Sequence, residues 1–324
     1  MVMKAKLRNL AMFVVLLTLM AALLPIRLVH GLVCRLRSPS VGSLRALKRV
    51  SAYDVDLSRI MRDGQPVIIE NLLDRLEVEQ PPDLPTFKKL AATTPDTFAV
   101  RFDKDEFPYY LYTGDYGRKA DHVSEVTLQD FLNFMFVTSP GPGLCVYQYF
   151  NANSLNGVVG SMMNSVADKL EAVLGRVHEQ GASGVWVGSK GVVTPLHHDA
   201  WPGLLFQTYG TKQVAMYGPT EYPNLYFLSP FAYGDRWSNL PPRSSQADTV
   251  KFPRFSRALR YEGVLKAGDT LFIPPFWPHE MEALEANIGM PFRFKVEKTG
   301  YLHPGALRPV FEVFHRKFLS HPAR

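Results

Sequence analysis

Thr194-Pro195-Leu196-His197-His198-Asp199 is the stretch on which the reading of this chain turns. In an extended segment successive side chains alternate between faces, so His197 and Asp199 share one side and His198 takes the other. A third donor, His279, ends the run Gly268-Asp269-Thr270-Leu271-Phe272-Ile273-Pro274-Pro275-Phe276-Trp277-Pro278-His279, eighty residues after Asp199. Two imidazoles and one carboxylate on one side of a metal leave the opposite side open. Non-haem Fe(II) uses that arrangement to hold a co-substrate and O2 together. The chain therefore reads as a candidate oxygenase with His197, Asp199 and His279 as its metal ligands. Asp269, next to Gly268, reads as a turn former.

Working outward from this motif, short β runs alternate with Gly and Pro turns from Val185 onward. They are Val185 to Gly188, Thr194 to Asp199, Leu204 to Tyr209, Gln213 to Tyr217, Arg260 to Leu265, Thr270 to Ile273, His279 to Ala283 and Phe292 to Val296. Many short strands with turn punctuation indicate a sandwich or barrel. Upstream, the pattern predicts helices over Asp54 to Arg62, Leu84 to Ala91, Leu128 to Met135 and Val166 to Leu174. Asp83, Thr127 and Ser165 serve as caps for the last three, and Gly175 as the stop of the last. Strands are predicted over Pro66 to Glu70, Phe98 to Phe102, Tyr109 to Tyr112 and Val146 to Phe150. A closing helix is predicted over Pro309 to Leu319.

Taken in order, Val185-Trp186-Val187-Gly188, Thr194 to Asp199, Gly210-Thr211-Lys212, Gly268 to Pro274 and Trp277-Pro278-His279 resemble the JmjC domain family. The likeness is to its small cupin-like hydroxylases, related to the asparaginyl hydroxylase of hypoxia-inducible factor. This resemblance implies a mainly β fold, a double-stranded β-helix of jelly-roll type with helices outside it. It also implies Fe(II), 2-oxoglutarate and O2 as reactants, with iron on His197, Asp199 and His279. By motif position it assigns the far carboxylate of 2-oxoglutarate to Lys212 and Thr194, with Tyr147 as a further contact. Gly203 stands four residues after Asp199, where relatives often carry a polar co-substrate contact. The last core strand lacks the Asn or Ser beside two adjacent aromatics that relatives often carry; here it reads Phe292-Arg293-Phe294-Lys295-Val296-Glu297.

The chain has 324 residues, 46% of them hydrophobic and 20% charged, so a packed core is expected. Its net charge of +6 is unevenly placed. Residues 1–53 hold nine Lys and Arg and no acid, and the remainder carries a net −3. A nucleic-acid footprint across the folded part is therefore not expected. Two cysteines without a C-x-x-C or Cys/His cluster give no structural zinc site. Leu10 to Ile26 is a seventeen-residue apolar run bracketed by Arg8 and Arg27. A secretory signal, a signal anchor and a mitochondrial presequence compete for it. The anchor fits the length best, so a single-pass membrane protein of the endomembrane system, or alternatively the mitochondrion, is expected. The expected organisation is an anchor over 1–34, a basic linker over 35–52, a JmjC/cupin-like domain over 53–300 and a helical tail over 301–324. The expected substrate is a protein or peptide side chain. The rival reading is a catalytically inactive, membrane-tethered cupin-like binding module.

Overall fold

The strands form where the β-branched and aromatic runs lie, and their pairing turns those runs into two facing sheets. The computed structural model describes residues 42–79, 82–103, 122–141, 144–175, 183–227 and 236–294. Six strands precede the motif region: β1 (Leu44–Ala46), β2 (Lys48–Ser51), β3 (Val67–Glu70), β4 (Thr97–Asp103), β5 (His122–Thr127) and β6 (Cys145–Asn151). Eight follow: β7 (Gly184–Gly188), β8 (Val193–His197), β9 (Gly203–Tyr209), β10 (Lys212–Tyr217), β11 (Arg260–Leu265), β12 (Asp269–Ile273), β13 (His279–Ala283) and β14 (Asn287–Arg293). One sheet runs β1-β11-β10-β13-β8 and the other β2-β3-β12-β9-β14-β7-β6-β4-β5. The last eight strands thus divide four and four between the sheets, which is the double-stranded β-helix expected. Neither sheet closes on itself. Two edge additions, β1 on β11 and β2 on β3, pair in parallel.

Helices cover the outer face of the larger sheet. They are α1 (Leu57–Asp63), α2 (Leu72–Arg75), α3 (Leu84–Ala91), α4 (Leu128–Asn133) and α5 (Val158–Leu174). Asp83 accepts from Thr86 N at the start of α3, and Thr127 from Asp130 N at the start of α4, so both expected caps form. Phe87, Phe131, Val166 and Leu170 on these helices pack against Val185, Phe206, Phe272 and Phe292 on the sheet. Burial of each such side chain stabilises by roughly 1.5–3 kcal/mol. The outer face of the smaller sheet, Leu196, Ala215 and Tyr217, lies under Leu225, Leu240 and Phe252 from the segment between β10 and β11.

Several expectations are corrected. The helix capped in the sequence reading by Ser165 begins at Val158, after Gly157 at φ 81°. Gly160 permits this: a Cβ there would stand 2.6 Å from Ala152 O. Its end at Gly175, φ 62°, is the one expected. The final core strand is Asn287–Arg293, earlier than read. Gly289 and Pro291 disguised it, and the ladder to β7 stops at Gly289, two residues before the proline. The basic segment Leu44 to Ser51 is not a linker but two strands, and Arg49 finds a buried partner in Asp269. Its guanidinium binds Asp269 at 2.7 and 2.8 Å and Glu70 at 2.8 Å. The single-pass membrane expectation is also corrected: among the described residues no helix is long and apolar enough to cross a membrane. The longest of them, α5, has 17 residues, or about 25 Å, short of a bilayer core of roughly 30 Å. It buries one face against the sheet. Leu10 to Ile26, Tyr109 to Tyr112 and Pro309 to Leu319 lie outside the described residues.

Candidate metal and co-substrate site

His197 is the last residue of β8 and His279 the first of β13, and the two are direct cross-strand partners. Side chains of such a pair emerge on the same face, and here the rings lie 4.2 Å apart. Asp199 follows two residues after β8, where its carbonyl accepts from Phe276 N at 2.8 Å. One donor atom from each of His197, Asp199 and His279 can be chosen so that all lie within 4.8 Å of one another. The ring orientations are fixed by backbone. Nδ1 of His197 donates to Pro195 O at 2.9 Å, and Nδ1 of His279 to Trp277 O at 2.9 Å. A carbonyl only accepts, so the proton sits on Nδ1 and each Nε2 offers its lone pair.

The electrostatics match. Burial is the main cause that drives the His279 pKa down, and burial followed by the neighbouring His279 does the same to His197. Both imidazoles are therefore neutral, the form that ligates a metal. Burial alone would raise the Asp199 pKa, yet the Arg293 guanidinium, with Arg236 behind it, holds it far below the usual carboxylate range. Arg293 Nη2 donates to Asp199 Oδ2 at 2.5 Å, and Arg236 Nη1 stands 3.8 Å from Oδ1. The donor set of two neutral imidazoles and one ionised carboxylate fits a divalent metal with open positions. His198 faces away, its ring among Tyr222, Phe227 and Phe276 at 5.4–5.9 Å.

Lys212, Thr194 and Tyr147 come together as well. They line one cavity with Trp186, Gly188, Val192, Met281, Ala283 and Asn287. Burial pushes the Lys212 ammonium down to about 8. Among the described residues no carboxylate forms an ion pair with it. Asn287 is a wall residue that the sequence reading missed, since it lay in what read as a loop. Its side chain donates to Gly188 O at 3.2 Å. Arg293 was missed too: in the alternating run Phe292 to Glu297 nothing sets it apart from Lys295 and Glu297 as the charge that reaches inward. Trp237, stacked on His197 at 4.4 Å, was the third omission. Asp269 keeps its turn role, accepting from Lys266 N at 2.8 Å, and adds the Arg49 pair.

The model of the cupin-like domain family matches residues 54–299. Jumonji C domain-containing protein 5 of Drosophila melanogaster is 25% identical over 174 residues, 52% of this chain and 41% of that protein. Lysine-specific demethylase 8 of Xenopus tropicalis is 37% identical over 112 residues, 33% of this chain and 24% of that protein. The human tRNA wybutosine-synthesizing protein 5 is 35% identical over 113 residues, 35% of this chain and 34% of that protein. The matched segment thus spans less than half the length of each of these relatives. With the family model covering most of its length, the chain belongs to the cupin-like domain family.

Proposed function

We propose that this chain is an Fe(II)- and 2-oxoglutarate-dependent oxygenase that hydroxylates a protein or peptide side chain. The observation that carries the reading is Lys212. An ammonium with no acid partner among the described residues shares an inter-sheet interior with a two-histidine, one-aspartate cluster. Members of the family typically depend on Fe(II) and 2-oxoglutarate, which with O2 would supply activated oxygen while 2-oxoglutarate loses CO2 and becomes succinate. His197 and His279 would hold the metal through Nε2, and Asp199 through a carboxylate oxygen. Lys212 would neutralise the far carboxylate of the co-substrate, with the Thr194 and Tyr147 hydroxyls beside it. Val192, Met281 and Ala283 would keep water from its methylenes. A protein or peptide substrate suits the net −3 of the chain after residue 53, which disfavours a phosphate backbone. Names of relatives include a demethylase and a tRNA-modifying protein. Hydroxylation is the reading here because removal of a methyl group also begins with hydroxylation of a carbon.

One observation favours a second reading, a non-catalytic cupin-like binding module: Arg293 occupies an Asp199 oxygen that a metal would share. A single experiment separates the two. Full-length protein is given Fe(II), ascorbate, O2 and 2-oxoglutarate, without and with peptide libraries, and succinate and peptide mass are followed. Succinate release above the His197→Ala background, with a peptide gaining one oxygen, is the expected result. Absence of both, together with no bound metal, establishes the binding module instead.

A further inference from the structure

The two departures at Gly203 and in the last core strand are one feature. Arg293 on β14 and Gly203 on β9 are direct cross-strand partners. A Cβ at position 203 would stand 2.1 Å from Arg293 Nη1 and 3.1 Å from its Cδ. Position 203 therefore has no side chain because the Arg293 side chain crosses it. The Arg293 side chain is 13% exposed and reaches the His197, Asp199 and His279 cluster, where Nη2 binds Asp199 Oδ2. Its Nη1 is buried with no acceptor among the described residues. Arg293 shares the inward face of β14 with Asn287 and Gly289, since alternate residues share a face. Asn287 lines the Lys212 cavity, and the missing Cβ of Gly289 would stand 3.1 Å from Lys212 Nζ. One face of β14 thus runs from a lysine ammonium to a guanidinium with an unused donor beside the metal ligands.

We propose that Arg293 is a positioning residue for the 2-oxo acid end of the co-substrate, with Nη2 on Asp199 and Nη1 donating to the metal-side carboxylate. This rests on the reading above that the site takes a metal and a 2-oxo acid. A second consequence follows from charge. Two guanidiniums, Arg293 and Arg236, flank the single carboxylate of Asp199. A dication alone meets net repulsion there, and an anionic 2-oxo acid relieves it. Metal and 2-oxo acid therefore bind with positive coupling, which linkage makes reciprocal.

Calorimetry on the full chain tests this with Mn(II), 2-oxoglutarate and pyruvate, the last carrying the 2-oxo acid end without a far carboxylate. Wild-type protein should bind Mn(II) at least about tenfold tighter when saturated with 2-oxoglutarate. Arg293→Gln should lose that coupling and weaken pyruvate binding about tenfold or more, whereas Lys212→Ala should weaken 2-oxoglutarate and spare pyruvate. Arg293→Lys, which keeps the charge without the fork, should also weaken pyruvate, so the idea stays testable if the glutamine variant does not fold. Unchanged pyruvate binding and coupling in both Arg293 variants overturns the positioning role alone. Tighter Mn(II) binding in Arg293→Gln with unchanged 2-oxo acid affinity overturns it in favour of a guanidinium that merely plugs Asp199. Failure of folded wild-type protein to bind Mn(II) or 2-oxoglutarate sinks this inference and the proposed function together.

Discussion

The space between the two sheets has two halves with the same pleated backbone and opposite contents. Between β9–β12 and β10–β11 the inward residues Leu205, Leu271, Ile273, Val214, Met216 and Leu265 form one apolar cluster, and Lys212 at the start of β10 turns into the cavity of the other half. Between β7–β14 and β8–β13 they include Thr194, His197, His279, Asn287 and Arg293, with Gly188 and Gly289 leaving room among them. The first half holds the sheets together by burial. The second leaves cations and imidazoles poorly solvated, a state that stabilises only when a ligand supplies the missing charge. One sandwich thus separates cohesion from binding by which half of its interior carries polar side chains.

The sharpest way to break this division is at the metal ligands. His197→Ala or Asp199→Ala should abolish divalent-metal binding, while His198→Ala, packed among aromatics, should retain it. Metal content of the purified variants decides, and full occupancy in His197→Ala removes the polar half from any metal role. Next in size is Lys212→Ala. Loss of the cation opposite a buried carboxylate costs roughly 3–5 kcal/mol, so 2-oxoglutarate affinity should fall by two or more orders of magnitude with Mn(II) affinity spared. An unchanged Kd would count against a co-substrate site in this cavity.

The apolar half makes the opposite prediction. Leu271→Ala, at a position with 0% exposure, should cost about 2–5 kcal/mol in denaturant unfolding and leave metal affinity unaltered. Loss of metal binding in a folded Leu271→Ala protein would show that the halves are not independent. A smaller effect is expected at the edge. Arg49→Ala strips the bidentate partner from buried Asp269 and should cost about 1–3 kcal/mol, though Arg49 lies far from the polar half in its contacts.

The mildest test uses pH. Burial lowers the Lys212 pKa from 10.5 to about 8. The unfolded chain thus binds the extra proton between these values, so this group destabilises the free protein below pH 8 and the penalty is relieved as pH rises toward 10.5. An anionic ligand reverses the balance by restoring the charge. Binding of 2-oxoglutarate above pH 8 should therefore take up a proton, with affinity falling about tenfold per pH unit. Calorimetry in buffers of different ionisation heat reads the uptake, which should vanish in Lys212→Ala.

Local pattern carried much of this molecule. The period-two rule separated His197 and Asp199 from His198, and the caps Asp83 and Thr127 were visible as residue types at helix starts. Apolar runs between turns gave seven of the eight core strands close to their observed positions. Those features depend on neighbours a few residues away, which is why the sequence alone determined them. Tertiary structure decided the rest. The register of β14 on β9 sets Arg293 against Gly203, and α5 extends back to Val158 because Gly160 meets Ala152 across space. Arg49, in a basic stretch that folds as a strand, finds Asp269, 220 residues away. Each of these joins residues through shape and buried charge, and neither quantity exists until distant strands have been brought into contact.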